Sequence, residues 1–242
     1  MRRSLMSVSL IFFFALPWAL ASEGATSEEV TIAGAEGFSL AATFSDPDGE
    51  SLRPGVLLLH MLGSNRHAWD GFAADLVQAG YAVLALDLRG HGDSVGTPDW
   101  PKAQEDTRLA WRYLADRPEV DARRTAVIGA SIGANLALTT SAALPQIATV
   151  ALLSPGLDYQ GVTTEDALAA YGDRPALIIA SQGDRYAAGS SRTLIGESTS
   201  SDSQLIIYQG SAHGTRIFGA EPSLAPTLLA WLEQHLGPPT SR

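Results

Sequence analysis

The sequence contains no cysteine among its 242 residues. This absence excludes disulfides, a thiolate nucleophile, thioether-attached haem and cysteine-ligated zinc. Positive charge is also scarce, because 16 basic residues stand against 26 acidic ones and give a net charge of −10. Such a chain repels phosphate backbones and shows no basic stripe, so we predict no nucleic-acid binding. Without crosslinks the protein depends on its hydrophobic core, which a domain of this length can bury.

Long apolar runs are missing as well. The run near the N-terminus, Leu10–Ala21, is shorter than the ~18–20 residues that span a bilayer. It follows two arginines and ends in an A-x-A cleavage pattern, which is the layout of a secretory signal peptide. We predict a signal peptide at 1–21, a mature domain at 22–242 and an exported protein, periplasmic or extracellular, with no stable membrane anchor after cleavage. An uncleaved anchor is the alternative, whereas the lack of cysteine excludes a lipoprotein anchor.

Eight short apolar segments alternate with helical patterns along the chain. Continuous apolarity indicates strands that are buried on both faces, as in a parallel sheet covered by helices. The predicted strands are 30–34, 38–44, 55–60, 81–88, 125–129, 147–154, 176–181 and 204–210, and the predicted helices are 69–79, 104–115, 131–144 and 222–236. We therefore predict an α/β fold with a mostly parallel, doubly wound sheet of eight strands, helices on both faces and an antiparallel pair at one edge. The short stretch between Ser154 and Ala176 predicts a small cap or none.

Two segments match the pattern G-x-S-x-G, at Gly92–Gly96 and Gly129–Gly133. Ser94 lies in a glycine-rich loop with no strand before it and no helix directly after it, so we expect no nucleophile there. Ser131 lies between a buried strand and a helix, where a tight turn exposes the serine oxygen and larger residues two positions to either side would collide. The helix N-terminus also adds partial positive charge near a developing oxyanion. The alternative is a packing turn in which Ser131 only caps the helix.

A serine hydroxyl needs a base, and one histidine is placed to supply it. His213 follows the last predicted strand, in a glycine-flanked loop that can reach back to Ser131. Asp184 follows the preceding strand and is the predicted carboxylate that orients the imidazole. Asp158 is the rival for this acid role, whereas Asp173 precedes its strand and lies at the wrong end of the sheet. The other histidines are interpreted as loop-shaping or helix-end residues: His60, His67, His91 and His235.

The developing negative charge on a substrate carbonyl needs two backbone N–H groups as donors. One is predicted to be the amide of Ile132, directly after the candidate nucleophile. The other is predicted to be the amide of Leu62, in the loop after the strand at 55–60. His60 lies at the start of this loop, and we expect it to shape the loop rather than to act as a base.

Five motifs follow one another along the chain: LLLHMLGSN at 57–65, DLRGHGDS at 87–94, GASIG at 129–133, SQGD at 181–184 and SAHG at 211–214. In this order they resemble the oxyanion loop, the D-x-R-G-H-G-x-S loop, the nucleophile elbow, the acid loop and the histidine loop of the α/β-hydrolase superfamily. The resemblance extends from Val30 to the C-terminus. It accounts for the second G-x-S-x-G match, because members carry that loop as a structural element at the pocket edge. The compact size resembles the small-cap serine esterase and dienelactone-hydrolase-like branches.

The resemblance implies a serine hydrolase that cleaves small-molecule carboxylic esters through an acyl-enzyme intermediate, with no metal or organic cofactor. A peptidase or amidase on the same fold and a non-catalytic binding protein remain alternatives. Dienelactone hydrolases proper use a cysteine nucleophile, which this chain lacks. A second departure is Met61, where many members have glycine, and we expect its side chain to narrow the acyl side of the pocket.

Overall fold

The computed structural model describes residues 25–47 and 51–239, and the predicted signal peptide at 1–21 lies outside them. The strands are β1 (Thr26–Ala33), β2 (Ser39–Asp46), β3 (Arg53–Leu59), β4 (Ala82–Leu86), β5 (Val120–Ala130), β6 (Thr149–Leu153), β7 (Asp158–Tyr159), β8 (Val162–Thr163), β9 (Ala176–Ser181) and β10 (Gln204–Tyr208). Eight of them form one sheet in the order β1-β2-β4-β3-β5-β6-β9-β10, and β7 and β8 form a separate hairpin. β1, β2 and β4 pair antiparallel, and the remaining pairs of the large sheet are parallel. This confirms the predicted mostly parallel sheet with its antiparallel edge.

Helices cover both faces of the sheet, as predicted. They are α1 (Asp70–Gln78), α2 (Trp100–Ala115), α3 (Ile132–Ala143), α4 (Glu165–Tyr171), α5 (Arg185–Glu197), α6 (Ile217–Ala220) and α7 (Leu224–Leu236). Successive side chains of a strand point to opposite faces. In β3, Leu57 and Leu59 therefore pack into the core shared with α2 and α3, whereas Val56 and Leu58 pack into the core shared with α1 and α7. Burial on both faces explains why these strands have no polar alternation.

The structure also contains elements that the sequence patterns did not predict. α2 begins at Trp100, four positions before the predicted start, because Asp99 caps it through a hydrogen bond from the Lys102 amide (3.1 Å) and a proline occupies the first turn. α4, α5, α6 and the β7–β8 hairpin were not predicted. The hairpin and α4 occupy the stretch between β6 and β9, which agrees with the expected small cap.

The candidate site lies where the parallel strands end. β3, β5, β6, β9 and β10 run in the same direction, so their carboxyl ends meet at one edge of the sheet. The loops at that edge carry the residues singled out in the sequence, which is the usual location of sites in open α/β sheets. Among the described residues, no helix combines the length and the apolarity needed to cross a membrane.

Candidate active site

Ser131 occupies the turn between β5 and α3. Its backbone has φ 55° and ψ −122°, a conformation that non-glycine residues rarely adopt. Its amide donates to the Leu153 carbonyl (2.8 Å), and its carbonyl accepts from the amides of Ala134 (2.8 Å) and Asn135 (3.2 Å). These bonds hold a strained backbone that costs about 1–3 kcal/mol and fix the direction of the side chain.

Two glycines permit this turn. A Cβ atom on Gly129 would lie 2.0 Å from the Gly133 carbonyl oxygen, and a Cβ on Gly133 would lie 2.4 Å from the Leu59 carbonyl oxygen. Both obstacles are backbone atoms, which cannot rotate away. The G-x-S-x-G pattern at 129–133 is thus required by the close approach of α3 to the ends of β3 and β5.

His213 and Asp184 form a direct pair. Nδ1 of His213 lies 2.6 Å from a carboxylate oxygen of Asp184, with side chains 33% and 16% exposed. Since an ionised carboxylate only accepts hydrogen bonds, Nδ1 carries the proton and, in the neutral imidazole, Nε2 is left as the basic nitrogen. Asp184 stands at the N-terminus of α5 but makes no capping bond there with its side chain, so its carboxylate is directed to His213.

The loop of His213 is held beside the end of β5. The amide of Gly214 donates to the hydroxyl of buried Ser154 (3.0 Å), which follows β6. A Cβ on Gly214 would lie 3.4 Å from the Cβ of Ala130, the residue before Ser131. These contacts bring the His213–Asp184 pair and Ser131 to one edge of the sheet. In the part of the chain that the structure describes, no hydrogen bond joins the Ser131 hydroxyl to His213, whose Nδ1 is paired with Asp184.

The amides of Leu62 and Ile132 are both available as donors. Within the described residues, neither donates a hydrogen bond to the protein itself. Ile132 is the first residue of α3, where backbone N–H groups have no partner within the helix. Leu62 is 50% exposed, in the loop between β3 and α1. The assignment of these two amides as oxyanion donors stays a prediction.

His60 is buried at the start of the loop that carries Leu62 and connects this loop to the chain after β4. Its ring is fully buried, Nε2 accepts from the Leu88 amide (3.0 Å), and Nδ1 lies 2.8 Å from the Met61 carbonyl oxygen. Both contacts are satisfied only when Nδ1 carries the single proton, so the ring is neutral. Burial lowers the pKa of His60 to about 4. His60 therefore links the loop that carries Leu62 to the segment directly after β4, which agrees with the expectation that it shapes this loop.

Met61 packs under the histidine loop. Its sulfur lies 3.9 Å from the Thr215 hydroxyl and would lie 3.0 Å from a Cβ on Gly214. Its side chain also packs against the core cluster on the α1 and α7 face of the sheet. The side chain is thus directed toward the loop that carries His213, whereas the sequence led us to expect it on the acyl side of the pocket.

The alternative candidates for the nucleophile, the acid and the base lie in other environments. Ser94 is completely buried, donates to the Asp87 carbonyl (2.7 Å) and accepts from the Ala41 amide (2.8 Å), so its hydroxyl holds the backbone. Asp158 is exposed and accepts from the Gly161 amide (2.8 Å) within its own hairpin. Three of the remaining candidates also lie apart from the Asp184–His213 pair. Asp173 is exposed and precedes β9, and His67 is exposed with its ring nitrogen 3.2 Å from the Asp70 carboxylate. The ring of His235 packs against Trp231. The ring of His91 lies against His60 (5.2 Å between centroids).

The sequence-based reasoning missed one residue at this edge, Tyr159. Its ring meets the His213 ring edge-on (6.4 Å between centroids, 90° between planes) and packs against Tyr186 (5.5 Å). Burial raises the pKa of the Tyr159 phenol to about 12, and the charge of Asp184 and the neighbouring Tyr186 raise it as well, while the nearby Ser131 side chain opposes the shift. A polar aromatic residue shortly after a predicted strand end was the available signal.

Among the described residues, no group of three or more His, Asp or Glu side chains could hold a metal ion.

Comparisons with known proteins agree with this architecture. Residues 50–172 match the family model described as serine aminopeptidase, S33. The quorum-quenching protein AidA of Acinetobacter baumannii is 32% identical over 117 residues, which cover 46% of this chain and 38% of that protein. The chain spans between 26% and 45% of the length of the first curated relatives that it matches.

Solved structures match over a larger share of the chain. An esterase from Pyrococcus furiosus superposes with a TM-score of 0.74 at 18% identity, covering 88% of this chain and 92% of that one. A dienelactone hydrolase from Anabaena variabilis superposes with a TM-score of 0.70 at 20% identity, covering 87% and 96%. At these identities the likeness shows the fold, and the family model matches half of the sequence. The chain therefore belongs to the α/β hydrolases of the serine aminopeptidase S33 family.

Proposed function

We propose that this hydrolase is a serine esterase in which Ser131 is the nucleophile, His213 the base and Asp184 the residue that orients the imidazole. The observation that carries the proposal is the Asp184–His213 pair, 2.6 Å apart, beside a serine held at φ 55°. A serine that only capped a helix would need neither the strained backbone nor a carboxylate-bound histidine at the same edge of the sheet.

In the first half-reaction the Ser131 oxygen attacks the ester carbonyl carbon, and Nε2 of His213 takes the hydroxyl proton. The carbonyl oxygen becomes an oxyanion that accepts hydrogen bonds from the amide of Leu62 and from the amide of Ile132, which lies at the N-terminus of α3. The tetrahedral intermediate then collapses, its bond to the alcohol oxygen breaks, and the alcohol leaves with the proton from His213. The acyl group remains on Ser131 as an ester.

In the second half-reaction water attacks the acyl-enzyme while His213 takes one of its protons. The new intermediate breaks its bond to the Ser131 oxygen, which recovers a proton from His213, and the carboxylic acid leaves. Throughout this cycle the carboxylate of Asp184 stabilises the imidazolium. The residues invoked need no metal or organic cofactor for these steps.

Replacement of the two candidate serines tests the assignment directly. We expect Ser131→Ala to lose labelling by a fluorophosphonate probe and hydrolysis of a p-nitrophenyl ester, with its circular dichroism spectrum unchanged. Ser94→Ala is the matched control from the second G-x-S-x-G segment, and it should still be labelled, because its hydroxyl only holds backbone groups. Full activity of Ser131→Ala, or a wild-type protein that the probe does not label, would overturn the proposal.

Amide hydrolysis is the second candidate function, because the matched family model is described as an aminopeptidase. The same three side chains perform acyl transfer from esters and from amides, and the leaving group makes the difference. Short-chain p-nitrophenyl esters and aminoacyl p-nitroanilides should be compared by kcat/KM. We expect the esters to be preferred, and a preference for the anilides would favour a peptidase.

We further propose that the protein is exported after cleavage behind Ala21. The N-terminal segment, with two arginines, an apolar run and an A-x-A pattern, supports this. N-terminal sequencing of the protein recovered from cell envelopes or culture medium should start at Ser22. Recovery of full-length chains from the cytoplasm would contradict it.

A further inference from the structure

Ser154 lies between the strand that leads to the proposed nucleophile and the strand that leads to the proposed acid. β6 pairs with β5 on one side and with β9 on the other. The carbonyl of Leu153, the last residue of β6, accepts from the Ser131 amide (2.8 Å), and the Ser154 amide donates to the Ile179 carbonyl in β9 (2.7 Å). The backbone at the end of β6 is therefore fixed relative to both neighbouring strands.

The side chain of Ser154 reaches the loop that carries the proposed base. Its hydroxyl accepts from the Gly214 amide (3.0 Å), and both residues are buried. Gly214 also lies close to two other elements, since a Cβ there would be 3.0 Å from the sulfur of Met61 and 3.4 Å from the Cβ of Ala130. Gly214 is thus seated against the end of β5, with its amide directed to Ser154.

The loop that carries His213 has two anchors, and they hold it to different parts of the site. At the start of the loop, the Gly210 carbonyl accepts from the Gly183 amide (2.7 Å), in the loop after β9. At its end, the Gly214 amide donates to the hydroxyl of Ser154. The first anchor keeps the imidazole beside its carboxylate partner, and the second keeps this pair beside the nucleophile turn.

The backbone of Ser154 has a conformation that does not suit a serine. Its φ is 53°, a value that favours glycine, and the following Pro155 favours an extended conformation for the residue before it. Glycine at this position would relieve the strain but would offer no hydroxyl to the Gly214 amide. The hydrogen bond therefore gives a physical reason for a serine at this position.

We propose that Ser154 is a positioning residue, whose hydroxyl sets the place of His213 relative to Ser131 through the Gly214 amide. When the hydroxyl is removed, the buried amide loses its acceptor and the loop shifts to find another. The His213–Asp184 pair then moves as a unit, because the first anchor remains, and Nε2 no longer meets the serine hydroxyl in the geometry that proton transfer requires. The inference rests on the esterase function proposed above.

Two substitutions at this position separate positioning from stability. Ser154→Ala and Ser154→Gly both remove the hydroxyl, but only glycine also relieves the strained backbone. Ser203→Ala is the matched control, because the Ser203 hydroxyl also accepts a backbone amide, that of Ala176 (3.1 Å), at the opposite end of the sheet. The measurements are the second-order rate constant of fluorophosphonate labelling, kcat and KM on a p-nitrophenyl ester, and the melting temperature.

We expect labelling and kcat of both Ser154 variants to fall about 10- to 100-fold, the cost of a displaced base, with KM within about twofold of wild type. Ser154→Gly should melt at the same temperature as Ser154→Ala or higher, so that the loss of activity does not follow stability. Ser203→Ala should keep both rates within about twofold of wild type. Wild-type rates in both Ser154 variants, a loss that disappears in Ser154→Gly, or a raised KM with an unchanged kcat would overturn the assignment.

A second measurement tests whether Ser154 acts through the histidine. In a His213→Ala background, which lacks the base, Ser154→Ala should change the residual rate of ester cleavage by less than about twofold, because residues that act as a unit are not additive. A further loss of about tenfold in that background would place the effect in the nucleophile turn and overturn the assignment. A wild-type protein that neither labels nor cleaves esters would instead overturn the proposed function, and this inference with it.

Discussion

The buried histidine beneath the loop that carries Leu62 makes the stability of the fold depend on pH in a calculable way. His60 is completely buried, with Nε2 accepting from the Leu88 amide. Protonation of Nε2 would set an N–H donor against another donor in a site with little water. The pKa of His60 is lowered to about 4 by burial, from 6.5 in an unfolded chain, and the smaller effects of the Met61 carbonyl, His91 and Asp87 leave that direction unchanged.

A histidine with a lowered folded-state pKa favours the unfolded chain in acid, because the unfolded chain binds the proton first. Its contribution to the free energy of unfolding is complete above pH 6.5 and is lost as pH falls from 6.5 toward 4. The shift of about 2.5 pKa units corresponds to about 3 kcal/mol in total, of which about 2 kcal/mol is lost between pH 8 and pH 5. This is a large share of the roughly 5–15 kcal/mol by which domains are stable.

Urea unfolding of wild type and His60→Gln at pH 8, 6.5, 5.5 and 5 measures how the contribution of His60 to the free energy of unfolding changes with pH. Glutamine has no ionisable group, so the carboxylates that titrate in both proteins cancel in the difference. We expect wild type to be the more stable protein at pH 8 and its advantage to shrink by about 2 kcal/mol by pH 5. His67→Gln, which removes an exposed histidine, is the control and should follow wild type in parallel. A constant difference between wild type and His60→Gln would refute the reasoning.

Three further outcomes follow from the serine turn and the histidine pair. Gly129→Ala forces a Cβ to 2.0 Å from a backbone oxygen and should cost about 3 kcal/mol or more by urea unfolding, whereas Gly189→Ala, in open space on α5, should stabilise by about 0.5–1 kcal/mol. Ser131→Gly should be more stable than Ser131→Ala by about 1–3 kcal/mol, because only glycine adopts φ 55° and ψ −122° without strain; equal stabilities would show that the turn is relaxed. Asp184→Asn should lower esterase kcat about 10⁴-fold, and a loss below tenfold would remove the orienting carboxylate from the mechanism.

The sheet was predictable because each of its central strands contains a continuous apolar run that is buried on both faces. Burial on both faces leaves one interpretation for segments such as Val56–Leu59. α5 gave no such signal: it buries small residues such as Ala187, Ala188, Ser190 and Ser191, so its sequence looks like a polar loop. The start of α2 carried a usable signal, since Asp99 followed by a proline in the first turn is typical of a helix N-terminus.

The residues of the candidate site also separate into those that local sequence patterns could predict and those that they could not. Ser131, Asp184 and His213 each follow a strand, and parallel strands bring their ends to one edge, so their proximity could be expected from local patterns. Tyr159 could not be found by that reasoning, because its position depends on Asn135, which is distant in sequence from both hydrogen-bonding groups of the hairpin. The direction of Met61 was also beyond local patterns, since contact with Thr215 joins residues far apart in the chain.

Two neighbouring strands at this edge end in the same unusual way. Ser131 after β5 and Ser154 after β6 are both buried and both have positive φ, at 55° and 53°. Neither is glycine, although glycine would relieve the strain at each position. The side chain explains the choice at Ser154, since its hydroxyl accepts the Gly214 amide beside His213, and the proposed nucleophile explains it at Ser131. The strain at this edge is therefore maintained by side chains that the site requires, and the surrounding glycines and buried strands supply the rigidity that sustains it.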